Sequence, residues 1–191
     1  MAGTWRPGSR LNELAVANAL GISRNTLREA FVELCVWRLV VRVPHEGFSV
    51  AAPSIVDLQD IFVTRRAFEI TSARNGGSLE GIRTVQDAAT EYKETLRKNI
   101  QGQLPDANLD FHRALVGMAE SRRLNAAMNQ LLDEVRLFYF MEPMDVQFHV
   151  VGVDAAAQIA QALRQNDFST AAALVADHLN RSEQHILKLH R

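Results

Sequence analysis

Apolar and polar positions recur at helical spacing along most of the chain, with one short exception between residues 39 and 51. Residues 11–20 predict a short helix that Gly21 interrupts. Ser23 is a good N-cap for a second helix, Arg24 to about Trp37. There Leu27, Phe31 and Leu34 stand at i, i+4 and i+7 and face inward, while Arg24, Asn25, Arg28 and Glu29 point elsewhere. Leu39–Val43 and Phe48–Ala51 predict two strands joined by Pro44-His45-Glu46-Gly47. From Pro53 onward the pattern is helical. One helix runs to about Arg74, with Ile55, Leu58, Ile61, Phe62 and Phe68 inside, and Gly76, Gly77 and Gly81 break it. The next carries Val85, Ala89, Tyr92, Leu96 and Ile100, and Gly102 and Pro105 end it. Further helices are expected over 106–119, 122–141 and 154–165, the last preceded by an irregular segment from Glu142 to Val153. Asn166-Asp167 makes a turn into a final helix from Phe168.

The fold class that follows is mostly α. Helix, glycine turn, helix and hairpin over residues 1–52 is the winged helix-turn-helix plan, whose second helix enters a DNA major groove. An αα-corner followed by a structural hairpin satisfies the same pattern. Residues 53–191 make an antiparallel bundle of about six helices with short connections.

Composition narrows the classes. No run reaches the roughly 20 apolar residues needed to span a bilayer, and the N-terminus lacks a signal-peptide core, so a cytoplasmic protein without membrane contact is expected. The single Cys35 excludes an internal disulfide and reads as a packed side chain. The formal charge is −1, yet residues 1–52 carry six Arg against four Glu, a net +2. All their cations are Arg, which suits phosphate and guanine edges. No nucleophile–base pair, carboxylate dyad or HExxH motif supports an enzyme.

The run PGSRLNE, LA-x-x-LGISRNTLREAF and then LV-x-R-x-P-x-x-G resembles the GntR family of bacterial transcription regulators. Gly21, Ser23, Arg24, Leu27, Arg28, Glu29, Leu34, Leu39, Val40 and Gly47 fall on its pattern. The remainder is similar to the FCD-type effector domain of the FadR subfamily, through D-x-x-D-I-x-x-x-R-R-x-x-E (Asp57 to Glu69), NLDFHRAL (Asn108 to Leu115) and the closing segment from Ala162 to His178. The resemblance implies a homodimeric regulator bound to a palindromic double-stranded operator, with a small organic acid as effector. It implies DNA contacts at Ser23, Arg24, Asn25, Thr26 and Arg28, with His45 and Gly47 at the wing tip. Glu46 opposes phosphate there. The family's winged helix begins with a helix upstream of the Pro7-Gly8 turn. Only six residues precede Pro7 here, so that helix is truncated or was lost to a mis-set start. A ligand-binding or dimerising remnant with impaired DNA binding is the alternative this leaves open.

Many such effector domains hold a divalent metal, for example zinc, on one Asp and three His. The matching positions are Asn108, His112, Ala156 and His178, so two imidazoles remain of four ligands. His149 is a conceivable replacement. Two readings stay open: His112 and His178 as ligands of a reduced metal site, or as hydrogen-bonding groups of a metal-free pocket. Arg66, Asn108, His112 and His178 are the expected effector-binding residues. Arg66 serves as a fork for a carboxylate or as a salt-bridge partner of Glu69 or Asp133.

Overall fold

Ser23 starts the second helix as expected, whereas the first begins after Asn12 rather than at Leu11. The Asn12 side chain accepts from the backbone N–H of Leu14 and Ala15, both at 3.1 Å, opening α1 (Glu13–Leu20). Gly21 ends α1 in the left-handed region at φ 67°, where a glycine carries no Cβ penalty. The Ser23 hydroxyl accepts from the Thr26 N–H at 3.1 Å and opens α2 (Arg24–Val36). Leu27 and Phe31 point from α2 into a small core with Leu11, Val16, Ala17, Val40 and Phe48. The wing strands are β2 (Val40–Val43) and β3 (Gly47–Val50), paired antiparallel with Val43 opposite Gly47. A two-residue strand missed in the pattern, β1 (Arg10–Leu11), adds to the other edge of β3. It is too short for any periodicity to register.

This computed structural model describes residues 5–98, 100–141 and 145–189. The chain divides into two units, Met1–Ser54 with Asp133–Pro143 and Ile55–Leu132 with Met144–Arg191. The return of 133–143 to the first unit leaves no mark in the hydrophobic pattern. The segment for which the resemblance implies an upstream helix lies mostly outside the described residues.

The second unit is helical: α3 (Ile55–Asn75), α4 (Leu79–Arg97), α5 (Leu104–Gly117), the first part of α6 (Arg122–Met141), α7 (Val146–Arg164) and α8 (Phe168–Leu189). Helix α3 packs on α8 and α5, α4 on α5 and α7, and α7 on α8. Four expectations are corrected. Gly81 lies inside α4, which starts on a Ser78 N-cap; the Gly77 and Gly81 Cα atoms sit so close to Met118 that a Cβ on either would come within 3.0 Å of it. Gly81 therefore serves helix contact rather than termination, while Gly76, at φ 68°, and Gly77 lie in the break between α3 and α4 as expected. Helix α7 starts at Val146 on an Asp145 N-cap, so the supposedly irregular segment is helical from there on, with 142–144 outside the described residues. The inner face of α4 is Ile82, Val85, Ala89, Tyr92 and Thr95, not Leu96 and Ile100. The inner face of α3 likewise excludes Ile55, which is exposed. No described helix is long and apolar enough to cross a membrane.

Candidate functional sites: an arginine edge and a buried polar core

The N-terminal turns of α2 present an exposed edge. Ser23, Arg24, Asn25, Thr26 and Arg28 are all exposed, while Leu27 between them is buried. Arg24 and Arg28 lie one turn apart, so their guanidinium groups share one face. Both turn toward Glu13 on α1. Its Oε2 accepts from Arg28 Nη1 at 3.4 Å and lies 3.9 Å from Arg24 Nη2. Arg28 also lies 6.0 Å from the centroid of the Phe48 ring in the wing. Glu13 was not singled out in the sequence, where it is only a first-turn helix acid. At the wing tip His45 is exposed with φ 65°, and Gly47 has φ 95°, which glycine alone adopts without strain.

The second site is buried where α3, α5 and α8 meet. Arg65 and Glu69 occupy one face of α3, with Arg65 Nε donating to Glu69 Oε1 at 2.8 Å. The other carboxylate oxygen lies 2.6 Å from Nδ1 of His112 on α5. The His112 ring lies near-parallel to that of His178 on α8, at 10° and 5.3 Å between centroids. All four side chains are buried. Burial pushes the Glu69 carboxyl up, but the Arg65 charge and the contact with His112 overcome this and hold it at about 2. Burial pushes both imidazoles down, His178 to about 3, with Arg65 adding to the effect on each. At neutral pH the site therefore holds a carboxylate, a guanidinium and two neutral imidazoles. A carboxylate only accepts, so His112 carries its hydrogen on Nδ1 and donates it to Glu69. Arg65 Nη2 is shielded from solvent and has no hydrogen-bond partner among the described residues. Leaving such a donor unmatched costs on the order of 1–3 kcal/mol.

Asn108, one turn before His112, donates its amide to Tyr92 Oη at 3.3 Å, and Tyr92 Oη lies 2.9 Å from His149 Nδ1. Burial lowers His149 to about 4 against the opposing pull of Asp145. Of the residues expected to bind an effector, the structure brings His112 and His178 together and joins Asn108 to the neighbouring Tyr92–His149 pair. Arg66 is placed differently. It is half-buried, and its Nη1 donates to Glu183 Oε2 at 2.7 Å and to Asn180 Oδ1 at 3.3 Å. Neither Glu69 nor Asp133 is its partner in these contacts. Its neighbour Arg65 is the buried arginine. The missed signal was spacing: Leu58, Phe62, Arg65, Glu69 and Ser72 continue one inward stripe at steps of four, three, four and three.

The metal that the resemblance implies can be tested on these donors. Position 108 supplies a neutral amide engaged with Tyr92, and Ala156 supplies a buried methyl. Glu69 is shared by Arg65 and His112. Among the described residues no group of three or more His, Cys, Asp or Glu is arranged to hold a metal ion. Two neutral imidazoles beside a fixed guanidinium do not fit a divalent cation. A cleft of about 270 Å³ opens between α7 and α8, walled by Phe148, His178, Arg181, His185 and Lys188.

Comparison with known proteins agrees with both halves. The family description "Bacterial regulatory proteins, gntR family" matches residues 1–50, and "FCD domain" matches residues 60–181. The Nta operon transcriptional regulator of Aminobacter aminovorans is 24% identical over 190 residues, 98% of this chain and 89% of that protein. A GntR transcriptional regulator from Rhodococcus sp. RHA1 superposes with a TM-score of 0.91 at 30% identity, covering 99% of this chain and 92% of that one. E. coli McbR/YncC shares the fold, with a TM-score of 0.84 at 18% identity over 99% of this chain and 92% of that one.

Proposed function

The chain belongs to the gntR family of bacterial regulatory proteins and carries an FCD domain, which makes it a DNA-binding transcription regulator; we propose that it works as a homodimer on a palindromic operator, with its affinity set by a small organic acid held in the helical unit. The observation that carries the DNA half is the exposed edge of α2, where Ser23, Arg24, Asn25, Thr26 and Arg28 surround a buried Leu27. An arginine there can donate two parallel hydrogen bonds to guanine O6 and N7, worth about 1–3 kcal/mol against a wrong base. Ser23, Thr26 and the first amides of α2 suit phosphate oxygens, and the His45–Gly47 tip suits the flanking backbone. Two copies are needed because heads of this kind read half-sites about one helical turn apart. An effector switches such a dimer only if it binds two of its geometries unequally.

The buried cluster of Arg65, Glu69, His112 and His178 supports the sensing half, because perturbed titratable groups gathered in one place mark functional sites more often than plain cores. Mobility shift on the palindrome upstream of the gene is the direct test. Wild type gives a discrete complex, and Arg24→Ala with Arg28→Ala abolishes it while leaving the circular dichroism spectrum intact. Undiminished binding by the folded double variant sinks the assignment of that edge.

A further inference from the structure

Helix α3 has two faces. Its buried side chains, Leu58, Ile61, Phe62, Arg65, Glu69 and Ser72, serve the packing on α8 and α5. The opposite side is open. Val56 and Val63 are 72% and 59% exposed there, and Asp60, Ala67 and Arg74 are exposed with them. Together with the half-buried Ile70 these residues form one line, at steps of four, three, four, three and four from Val56 to Arg74. Val56, Val63 and Ile70 repeat every seven residues, and so do Asp60, Ala67 and Arg74. That is the spacing of a seam between two packed helices. Single exposed valines are ordinary on a protein surface, whereas a heptad line of apolar positions along one helix is suited to cover by another. The charges on the line select the cover. Asp60 and Arg74 stand about 21 Å apart along the helix axis at 1.5 Å per residue, so they cannot pair within one chain. Neither makes an ion pair among the described residues. A second α3 laid parallel would set like charges together at both ends. Laid antiparallel, it sets each acid beside an arginine.

We infer that the outer face of α3 is an interface between two copies of this chain, packed antiparallel about a two-fold axis that passes Ala67. The inference rests on the homodimer reading above and assigns a surface to it. The contact is isologous, so one patch serves both copies. Asp60 of each copy meets Arg74 of the other, and the pair therefore occurs twice. Val63 lies against Thr71 of the second copy and Ile70 against its Thr64. Ala67, the smallest side chain on the line, sits at the crossing, where two backbones approach most closely.

The test is sedimentation velocity on the full chain over a range of concentrations, without DNA. Wild type is expected to be a dimer. Asp60→Arg and Arg74→Asp, each of which places like charges together at both symmetry-related contacts, raise the dissociation constant by about tenfold or more. The double variant exchanges the two charges, restores the pairs and returns the constant to within about threefold of wild type. Val63→Glu, an exposed change in the apolar part of the line, weakens the dimer independently should a charge variant fail to fold; circular dichroism melting reports folding for all four. A dimer that neither reversal nor Val63→Glu weakens overturns the inference while leaving the homodimer reading intact, because another face then holds the copies together. Single reversals that weaken the dimer without rescue in the double variant overturn the pairing of Asp60 with Arg74 and the antiparallel register with it. A monomeric wild type overturns the inference and the homodimer reading together. Mobility shift on the same preparation keeps the DNA reading separate, since its failure appears as a dimeric wild type that forms no operator complex.

Discussion

Glu13 holds the two arginines that the DNA reading depends on. Its carboxylate is mostly shielded and lies within 4 Å of both guanidinium groups, whereas Arg24 and Arg28 remain about half exposed. Exposed pairs of this kind contribute only about 0–1 kcal/mol to stability. The larger consequence is positional: the pair fixes which way the arginines point and sets a negative charge against incoming phosphate. Glu13→Ala should therefore leave the melting temperature within a few degrees while raising affinity for random-sequence DNA by about threefold to tenfold and lowering the specific-to-random ratio. Fluorescence anisotropy with operator and scrambled duplexes at two salt concentrations measures this; an unchanged ratio removes Glu13 from the reading mechanism. At this scale the sequence was half legible. The motif placed Ser23, Arg24 and Arg28 on an exposed edge, because capping and a three-residue apolar stripe determine a short helix locally. It could not show Glu13, a partner from another helix. Nor did it separate Arg65 from Arg66, since adjacent helical residues differ by about 100° of rotation and only packing decides which is buried.

Helix α7 illustrates what periodicity leaves out at the scale of elements. The segment holding Phe148 and His149 looked irregular because it mixes valines, a histidine and Gly152 in an apolar run. The structure makes it the first half of a 19-residue helix that packs on α4 and α8. Gly152 has a reason to be small: a Cβ there would lie 2.7 Å from Tyr92 Oη, the hydroxyl that joins Asn108 and His149. Two effects oppose each other in Gly152→Ala. Alanine gains about 0.8–1 kcal/mol of helix propensity, while forcing a methyl against a constrained ring costs about 1–3 kcal/mol. Tyr92 is fully buried and hydrogen-bonded, so it yields little and the clash wins. The variant should lose about 1 kcal/mol in urea unfolding, whereas Gly117→Ala, with nothing within 4 Å of the added carbon, should not be destabilised. A Gly152→Ala protein as stable as wild type would mean that Tyr92 moves freely. Bundle architecture itself was readable, because long amphipathic runs leave few alternatives. Helix starts were less so: Ser78 and Asp145 cap α4 and α7 ahead of the apolar stripes from which those helices were recognised.

Acid sensitivity belongs to the whole molecule, because four groups from four different helices contribute to it with the same sign. His178 is held at about 3 and His149 at about 4, each lowered chiefly by burial. An unfolded chain returns both to about 6.5. Below that value the unfolded chain takes up protons that the folded one refuses, so stability falls as pH drops from about 6.5 toward 4 and 3. At pH 5 the His178 contribution alone amounts to ~2 kcal/mol lost relative to pH 7, an order-of-magnitude figure. Glu69 extends the trend to lower pH. Its folded value of about 2 lies below the ordinary carboxylate range, so its stabilisation is complete above about 4.5 and disappears as pH falls through 2. His112 is also lowered and acts in the same direction as the other imidazoles. Urea unfolding followed by circular dichroism at pH 7, 6 and 5 should show a steadily falling midpoint, and His178→Gln should flatten the dependence by about one proton. A midpoint constant over that interval would mean that these imidazoles are reached by water and take up protons in the folded bundle. The buried network would then be a hydrated site, and Arg65 would lose the low-dielectric surroundings that make its charge effective against a metal.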